Sequence, residues 1–476
     1  MDHSAEIKKY ISGHEKEILE DLFRLMKIDS SFSEEGRDAA HPFGAGSAKA
    51  LEVCSGMMKD YGFQVKNYDN YVIAADIGEG DRELDILAHL DVVPAGEGWT
   101  VTDPFSPVLT EDGIIYGRGS ADDKGPAIAA IYALRAIKEL GIPLKKNARL
   151  ILGGCEELGL GDLEYYFDRE PHAKYSFSPD ADYPLINAER GISGTDIKTV
   201  FTAEEAGASP IVSIHSGLRR NMVPYSAIAV IDAGKGNVKP EDIAAAVAKT
   251  VRKCGAGIEM TTEGNIVTID IRGVGGHASM PESSVNSLTC LMEIISSLPF
   301  TDRISETVRG FSRIYPFGVY HGEAAGIDME DACSGRLTSS FNVMHYENGI
   351  LSAQIDSRVP YMANDDNFNK PLKNALLDAG AGEVNIALNP CHVVPADSPF
   401  VQKLMASYRK ITGDIDGRPF AIGGGTYVHN IDNGVAFGCA MPGVDNRMHG
   451  PDEFMMKDVL LKSIEIFAEA IISICG

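Results

Sequence analysis

Hydrophobic positions recur with helical spacing at the start of the chain and form shorter strand-like runs after it. Apolar residues three or four positions apart predict an amphipathic helix over residues 5–28, and a second helix is predicted over 47–61. Two strand-like runs, NYVIAADI and ELDILAHLD, precede a third helix predicted over 125–142. Strands that alternate with helices favour an α/β fold with a mostly parallel mixed sheet flanked by helices.

The pattern changes in the middle of the chain. From about residue 191 to 383, long alternating segments such as NIVTIDIRGVGG are separated by helices, which is typical of an α+β domain. The first pattern then returns, with a strand in GVAFGCAMPG and a closing helix predicted over 452–474. We therefore predict one α/β domain with an inserted α+β domain, with boundaries at 1–188, 189–384 and 385–476.

Charge and composition narrow the possible partners and compartment. The 476 residues contain 43 Lys and Arg against 68 Asp and Glu, giving a formal charge of −25, which disfavours nucleic acid and anionic membranes as partners. No run approaches the roughly 18 apolar residues of a membrane span, and the first residues lack a signal-peptide core. Eight scattered cysteines without a C-x-x-C pair are typical of reduced thiols, so a cytoplasmic protein is expected.

A histidine stands at the end of one predicted strand. His89, in ILAHLD, is followed two positions later by Asp91, and residues two apart share one face of a strand. A carboxylate there can hydrogen-bond the imidazole and fix its tautomer, as beside many metal-bound histidines. For this motif alone, a histidine satisfied at a strand end is the simpler interpretation.

Two pairs of acidic residues follow. The segment GRGSADDKGP lacks the spacing of a phosphate-binding loop, but it places Asp122 and Asp123 just before a helix, as a cap or as cation ligands. Glu156 and Glu157 end the next strand. Because adjacent side chains of an extended chain diverge, one glutamate could bind a metal while the other faces a water.

Further candidates lie after later strands: Asp180 and Asp182 in SPDADYP, and His449 in MHGPDEF. Such strand ends meet at the edge where open parallel sheets bind ligands. Histidines and carboxylates suit zinc or a related divalent ion, and two ions sharing one carboxylate would form a hydrolytic site. The full candidate set is His89, Asp122, Glu157, Asp180 and His449.

These motifs resemble, in order, those of the dinuclear metallopeptidase family that contains glutamate carboxypeptidase, aminoacylase, succinyl-diaminopimelate desuccinylase and the PepV dipeptidases. The segments that carry the resemblance are AHLDVVP, GRGSADDKGP, the Glu–Glu pair, SPDADYP, NMVPYSA, GGHASMPESSVNS, IDSRVP, GGGTYV and MHGPDEF. HLDVVPAGEGW, ADDKGP and PDADYP look most like the PepV branch. The resemblance implies a zinc-exopeptidase-like catalytic domain with an inserted lid domain.

The family pattern implies two divalent metal ions per chain, with zinc expected and manganese or cobalt as alternatives. The implied ligands are His89 and Asp180 for one ion, Glu157 and His449 for the other, and Asp122 as the bridge. Asp91 would orient His89, and Glu156 would be the general base. The peptide bond between Asp122 and Asp123 is similar to one that is cis in the family.

The resemblance also implies substrate-binding residues in the middle domain. His277 would stabilise the oxyanion, Arg358 would grip the substrate's terminal carboxylate, and Asn221 would position the scissile group. Backbone donors would come from Gly423, Gly424, Gly425 and Thr426. Without the family, a turn at His277, an ordinary strand bearing an exposed Arg358 and a flexible glycine loop are the simpler interpretations.

Two positions depart from the PepV pattern. That branch carries an aspartate before the glutamate pair, where this chain has Cys155, and an arginine shortly after GGGTY, where this chain has His429. We expect Cys155 to change the local electrostatics without loss of activity. If the arginine contacts substrate, His429 alters affinity or specificity.

Three functions follow from these residues. The first is metal-dependent hydrolysis of small peptides by a dipeptidase, expected to be a monomer with a homodimer left open. The second is an amidohydrolase acting on N-acyl amino acids, which needs the same metal site. The third is a non-catalytic metal-binding protein on the same fold. The complete ligand set together with Glu156 favours an enzyme over the third.

Overall fold

The computed structural model describes residues 2–159 and 161–476. Its contacts divide the chain into two compact units. The first unit runs up to Ala188 and resumes over Val394–Phe420 and Gly425–Gly476, and the second comprises Glu189–Val393 and Ala421–Gly424. The second unit extends beyond residue 384 because Glu383–Asn389 pairs with Gly191–Val200 in its sheet.

The predicted helices of the first unit form close to their expected places. In chain order the helices are α1 (Ser4–Met26), α2 (Ala45–Asp60), α3 (Lys124–Glu139), α4 (Gly161–Phe167), α5 (Ala203–Ala208), α6 (Pro240–Cys254), α7 (Ser287–Ser297), α8 (Arg303–Ile314), α9 (Lys370–Asp378), α10 (Pro399–Thr412) and α11 (Lys457–Cys475). Single turns lie at Pro281–Ser283, Glu323–Ala325 and Asp365–Asn369. In the described parts of the chain, none of these helices is long and apolar enough to span a bilayer.

Short strands complete both units. They are β1 (Val65–Tyr68), β2 (Val72–Ile77), β3 (Arg82–His89), β4 (Val108–Leu109), β5 (Ile114–Tyr116), β6 (Asn147–Gly153), β7 (Tyr175–Ser178), β8 (Ala181–Asp182), β9 (Ile186–Glu189), β10 (Gly191–Val200), β11 (Ile211–Ser216), β12 (Met222–Val223), β13 (Ser226–Asp232), β14 (Gly257–Glu263), β15 (Ile266–Arg272), β16 (Gly276–His277), β17 (Glu330–Asp331), β18 (Gly335–Arg336), β19 (Thr338–Glu347), β20 (Ile350–Val359), β21 (Glu383–Asn389), β22 (His392–Val393), β23 (Phe420–Ile422), β24 (Gly434–Ala436), β25 (Cys439–Ala440) and β26 (Phe454–Met456). One predicted boundary is wrong. The last helix begins at Lys457 rather than at 452, because β26 pairs with β5 as a strand.

The main sheet of the first unit has a parallel centre. Its strand order is β1-β2-β6-β3-β7-β24-β9. The neighbours β6, β3, β7 and β24 run parallel, whereas β1, β2 and β9 join antiparallel at the two sides. This arrangement confirms the α/β class, and the buried run at the end of β3 is typical of a strand covered on both faces.

Helix α3 lies at the centre of the first unit's core. Every residue from Lys124 to Ile137 is buried, and the helix packs on α1 and α11 and against β3. Its segment GPAIAAIYALRAI is apolar except at Tyr132 and Arg135, which is close to the pattern of a fully buried helix. Because Asp122 and Asp123 directly precede α3, this packing fixes where both carboxylates stand.

The second unit is built on an antiparallel sheet. Its strand order is β14-β15-β13-β11-β19-β20-β10-β21, and each pairing is antiparallel. Buried and partly exposed residues alternate along β13, and α7 packs on the buried face. The alternating segments of the sequence therefore do form an α+β unit. Its assignment as a lid stays a prediction.

Shortening Ile131 tests the importance of α3. Ile131 is fully buried, whereas Leu140, just after the helix, is 37% exposed. Ile131→Ala should lower the free energy of unfolding by about 2–5 kcal/mol because it removes buried methyl groups and leaves a cavity. Leu140→Ala, the matched control, should change it by about 0.5 kcal/mol or less. Urea unfolding followed by circular dichroism measures both, and equal losses in the two variants would contradict the central place of α3.

Candidate metal centre

Three neighbouring parallel strands bring the predicted ligands to one edge of the first unit's sheet. Strand β3 ends at His89, β6 is followed by Glu156 and Glu157, and β7 is followed by Asp180. Parallel strands carry their carboxyl ends to the same edge, so these side chains converge. His449 reaches the same place from the loop between β25 and β26, with a left-handed φ of 64°.

Asp122 lies between the two histidines. Its Oδ1 is 3.0 Å from His89 Nε2, and its Oδ2 is 2.9 Å from His449 Nε2. The two oxygens of one carboxylate thus face different imidazoles. This is the geometry needed for a carboxylate that bridges two ions.

Each histidine has a second carboxylate beside it. Asp180 Oδ2 is 3.6 Å from His89 Nε2, and Glu157 Oε2 is 3.3 Å from His449 Nε2. Ligand atoms of His89, Asp122 and Glu157 all lie within 4.8 Å of one another. The five predicted ligands therefore form two adjoining groups that share Asp122.

The donor atoms fit a metal ion. Within the described residues, His89 Nε2, Asp122 Oδ1 and Glu157 Oε1 are buried and make no hydrogen bond. Buried polar atoms are normally partnered, and three unpartnered ligand atoms in one cluster call for an explanation. Histidine nitrogens and carboxylate oxygens are common zinc ligands, so a divalent ion would satisfy all three.

The charges of the cluster also favour a cation. Burial, followed by the charge of Asp122, raises the pKa of both Asp180 and Glu157. Contacts to Asp122 and Glu157 raise the pKa of His449 to about 11. Burial opposes ionisation of Asp122, yet its close contacts to His449 and His89 leave its pKa below the usual range. The carboxylates repel one another in a buried place, and a divalent ion would relieve that repulsion.

Asp91 holds three parts of the site at once. Its Oδ1 lies 3.3 Å from His89 Nδ1 and accepts the Glu156 N–H at 3.0 Å, while its Oδ2 accepts the Glu157 N–H at 3.1 Å. The sequence assigned Asp91 to the histidine alone. The structure adds the main chain of both glutamates.

Glu156 and Glu157 lie in a turn beyond the end of β6 at Gly153, so the extended backbone expected for this pair is wrong, and the two side chains still have different surroundings. Glu157 faces His449, whereas Glu156 has no ion-pair partner within the described residues. Burial, partly offset by His89 and reinforced by Asp180 and Glu157, raises the pKa of Glu156 well above its ordinary value. A carboxyl group with raised proton affinity is suited to accept a proton.

A match to a family model decides the chain's affiliation. The model described as Peptidase family M20/M25/M40 matches residues 86–473, which is most of the chain. The chain belongs to this family. The β-Ala-Xaa dipeptidase of Lactobacillus delbrueckii subsp. lactis is 35% identical over 469 residues, covering 98% of this chain and 97% of the relative.

Two solved dipeptidase structures share the fold. Human carnosine dipeptidase 1 aligns with a TM-score of 0.59 at 17% identity, covering 100% of this chain and 99% of that one. A di-peptidase of Saccharomyces cerevisiae gives the same TM-score at 14% identity, with the same coverage. At these identities the likeness concerns the fold alone.

The turn that carries Asp122 is held by residues that the sequence analysis missed. Glu453 is fully buried, and its Oε1 accepts the N–H groups of Ala121 at 2.9 Å and Asp122 at 3.3 Å. Its Oε2 accepts a hydrogen bond from Arg118 Nη1 at 2.6 Å. Both residues stand inside motifs already singled out, GRGSADDKGP and MHGPDEF, so a charged pair between these motifs was the available signal.

Asp123 joins the same turn to strand β3. The Asp122–Asp123 peptide bond is cis, which confirms the expectation from the resemblance. Asp123 is fully buried, and its Oδ2 accepts the His89 N–H at 2.9 Å. The two consecutive aspartates therefore make different contacts: Asp122 is the predicted ligand, and Asp123 fixes the backbone of His89.

Cys155 directly precedes the glutamate pair, and its backbone is anchored by Asp162. Its N–H donates to Asp162 Oδ2 at 2.8 Å, and the Tyr427 hydroxyl donates to the same oxygen at 2.5 Å. Burial raises the pKa of the Cys155 thiol, so a neutral group occupies this position. Whether it alters activity stays a prediction, as does the effect of His429, which is also buried.

The other predicted residues fall into both units. Asn221, His277, Arg358, Gly423 and Gly424 belong to the second unit, whereas Gly425 and Thr426 belong to the first. Within the second unit, β16 pairs with β12, and the Asn221 carbonyl accepts the N–H of the residue after His277 at 2.9 Å. Arg358 is 4% exposed rather than an exposed strand residue, and its Nη1 donates to the Gly423 carbonyl at 2.8 Å. Their roles toward substrate stay predictions.

Replacing Glu453 tests its support of the ligand turn. Glu453→Gln should weaken metal binding by roughly 10- to 100-fold, because it removes the charge that pairs with Arg118 and steadies Asp122. Titration of metal into chelator-treated protein, followed by calorimetry, measures the affinity. Glu465→Gln, a partly buried glutamate of α11, is the control and should bind as the unsubstituted protein does. Unchanged affinity in Glu453→Gln would show that the turn does not need this clamp.

Proposed function

We propose that this protein is a metal-dependent dipeptidase that hydrolyses the peptide bond of small free peptides. The observation that carries the proposal is the position of Asp122, whose oxygens face His89 at 3.0 Å and His449 at 2.9 Å. One carboxylate set between two ligand groups supports a dinuclear hydrolytic site. The relative that is 35% identical over nearly the whole chain is a β-Ala-Xaa dipeptidase, which supports the substrate class.

The proposed ligands are five. His89 and Asp180 would hold one ion, Glu157 and His449 the other, and Asp122 both. With zinc favoured by this donor set, the two ions would polarise the scissile carbonyl and activate a water. Asp91 would hold the His89 side chain and the backbone of both glutamates in position, since it contacts all three.

Glu156 is the proposed general base. It would take the proton of the attacking water and pass it to the leaving amine. Its raised pKa supports this role, because a base must hold the proton long enough to deliver it. The neighbouring Glu157 contacts His449 and would bind a metal ion beside it.

The second unit is the proposed lid. His277 would stabilise the oxyanion and Asn221 the scissile group, while Arg358 and the backbone of residues 423–426 would face the substrate's carboxylate. We further infer a reducing compartment, because all eight cysteines are unpaired thiols. A monomer is the proposed state, since an enlarged lid domain could take the place of a partner's surface.

Glu156→Gln tests the function and the base together. The unsubstituted enzyme loaded with zinc should hydrolyse L-alanyl-L-alanine, and Glu156→Gln should lower kcat by roughly 10²–10⁴-fold because the amide cannot accept the proton. Its zinc content by elemental analysis should stay equal to that of the unsubstituted enzyme, since Glu156 is not a proposed ligand.

Glu164→Gln, an exposed glutamate of α4, is the matched control and should keep full activity. Substantial activity in Glu156→Gln would overturn the assignment of the base. Faster hydrolysis of N-acetyl-L-alanine than of the free dipeptide by the unsubstituted enzyme would overturn the dipeptidase in favour of a deacylase.

A further inference from the structure

Two histidines face each other across the two middle strands of the second unit's sheet. The strand order places β11 and β19 at its centre, and their register sets His215 directly opposite His345. The neighbouring side chains of Ile214 and Tyr346 are buried in the core of this unit. Because successive side chains of a strand point to opposite faces, both histidines lie on the other face of the sheet, where each is exposed.

The spacing of the two imidazole rings matches that of rings bound to one ion. Their centroids are 5.7 Å apart, and their planes are inclined by 42°. Two imidazoles that bind one zinc ion through Zn–N bonds of about 2.0–2.1 Å would have their centroids roughly 5–6 Å apart. Since β11 and β19 are each paired on both sides, the sheet holds this spacing without help from an ion.

The protonation state of the pair also suits a metal ion. Desolvation, followed by the charge of His215, lowers the pKa of His345, so the neutral ring is favoured near pH 7. A hydrogen bond to the Gly217 main chain raises the pKa of His345 in turn, as expected when one ring N–H donates to a carbonyl. A neutral histidine held in this way at one ring nitrogen offers the other nitrogen to a metal.

A cavity adjoins the pair. It has a volume of about 260 Å³, and the two histidines line it together with Met222 and Tyr225. An ion held by two imidazoles needs further ligands to complete its coordination. The cavity is large enough for several water molecules, each of which occupies about 30 Å³ in the liquid. Ligands from solvent can therefore reach an ion between the two rings.

We propose that His215 and His345 form a binding site for one divalent transition-metal ion, in addition to the two ions of the proposed metal centre. Imidazole nitrogen is a ligand for Zn²⁺, Ni²⁺ and Cu²⁺ alike, and Cu²⁺ binds such ligands most tightly of the three. The ion would join β11 to β19 across the exposed face of the sheet. Both histidines belong to the second unit, so this inference does not rest on the proposed function.

Copper binding tests the site while zinc fills the metal centre. Zinc-saturated protein, freed of excess zinc, is titrated with Cu²⁺ by calorimetry, and electron paramagnetic resonance of the bound copper reports its nitrogen ligands. The unsubstituted protein should bind one equivalent with nitrogen ligation and keep its zinc. His215→Asn and His345→Asn should each weaken this binding by at least roughly 10–100-fold, because loss of a ligand costs no less than loss of a residue that orients one.

His172→Asn is the matched control. His172 is an exposed histidine of the first unit that stacks on Phe167, and its replacement should leave copper binding as it is in the unsubstituted protein. Melting temperatures of the two pair variants should stay close to that of the unsubstituted protein, since both side chains are exposed. A loss of copper binding in these variants then reports the ligands and not the fold.

Loss of the copper equivalent in both pair variants, with zinc content unchanged, would support the site. Equal copper affinity in these variants and the unsubstituted protein would overturn it, and so would a loss in only one of the two. Copper uptake matched by an equal release of zinc would place the copper in the metal centre and would also overturn the inference. Hydrolysis of L-alanyl-L-alanine is a separate measurement, and its failure would leave the difference between the variants intact.

Discussion

The structure of the first unit depends on how it tolerates carboxylates crowded at one buried edge of a sheet. Asp122, Asp180 and Glu157 lie within reach of two imidazoles, and removal from water makes each negative charge costly. Histidine contacts alone leave the pKa values of Asp180 and Glu157 raised, and ligand atoms remain without hydrogen bonds. A pair of divalent cations, as proposed, would neutralise this cluster.

Contacts within the protein alone position the side chains of this cluster. The fully buried helix α3 fixes the turn before it, Glu453 holds the N–H groups of that turn, and Asp91 holds the strand end of His89 together with the Glu156–Glu157 backbone. Glu453 and Asp91 are carboxylates that accept main-chain hydrogen bonds, and neither is itself a proposed metal ligand. With the proposed ligands positioned by such contacts, metal binding would cost little reorganisation.

Much of this could be predicted from the sequence, because strand ends of a parallel sheet meet at one edge and the motifs mark those ends. The convergence of His89 and Asp122 follows from that rule, and their proposed role as metal ligands follows from the family resemblance. Glu453 could not be found in the same way, because it contacts Ala121 across 332 residues of sequence. The strand β26 was taken for helix because its pairing with β5 is equally distant along the chain.

Asp122 is proposed to bridge two ions. Crystals of the zinc-loaded protein, measured with X-rays on both sides of the zinc absorption edge, locate the ions directly by anomalous scattering. Two peaks of similar height are expected about 3.5–4 Å apart, one beside His89 and Asp180 and the other beside Glu157 and His449. A single peak, or zinc bound away from Asp122, would contradict a bridging Asp122.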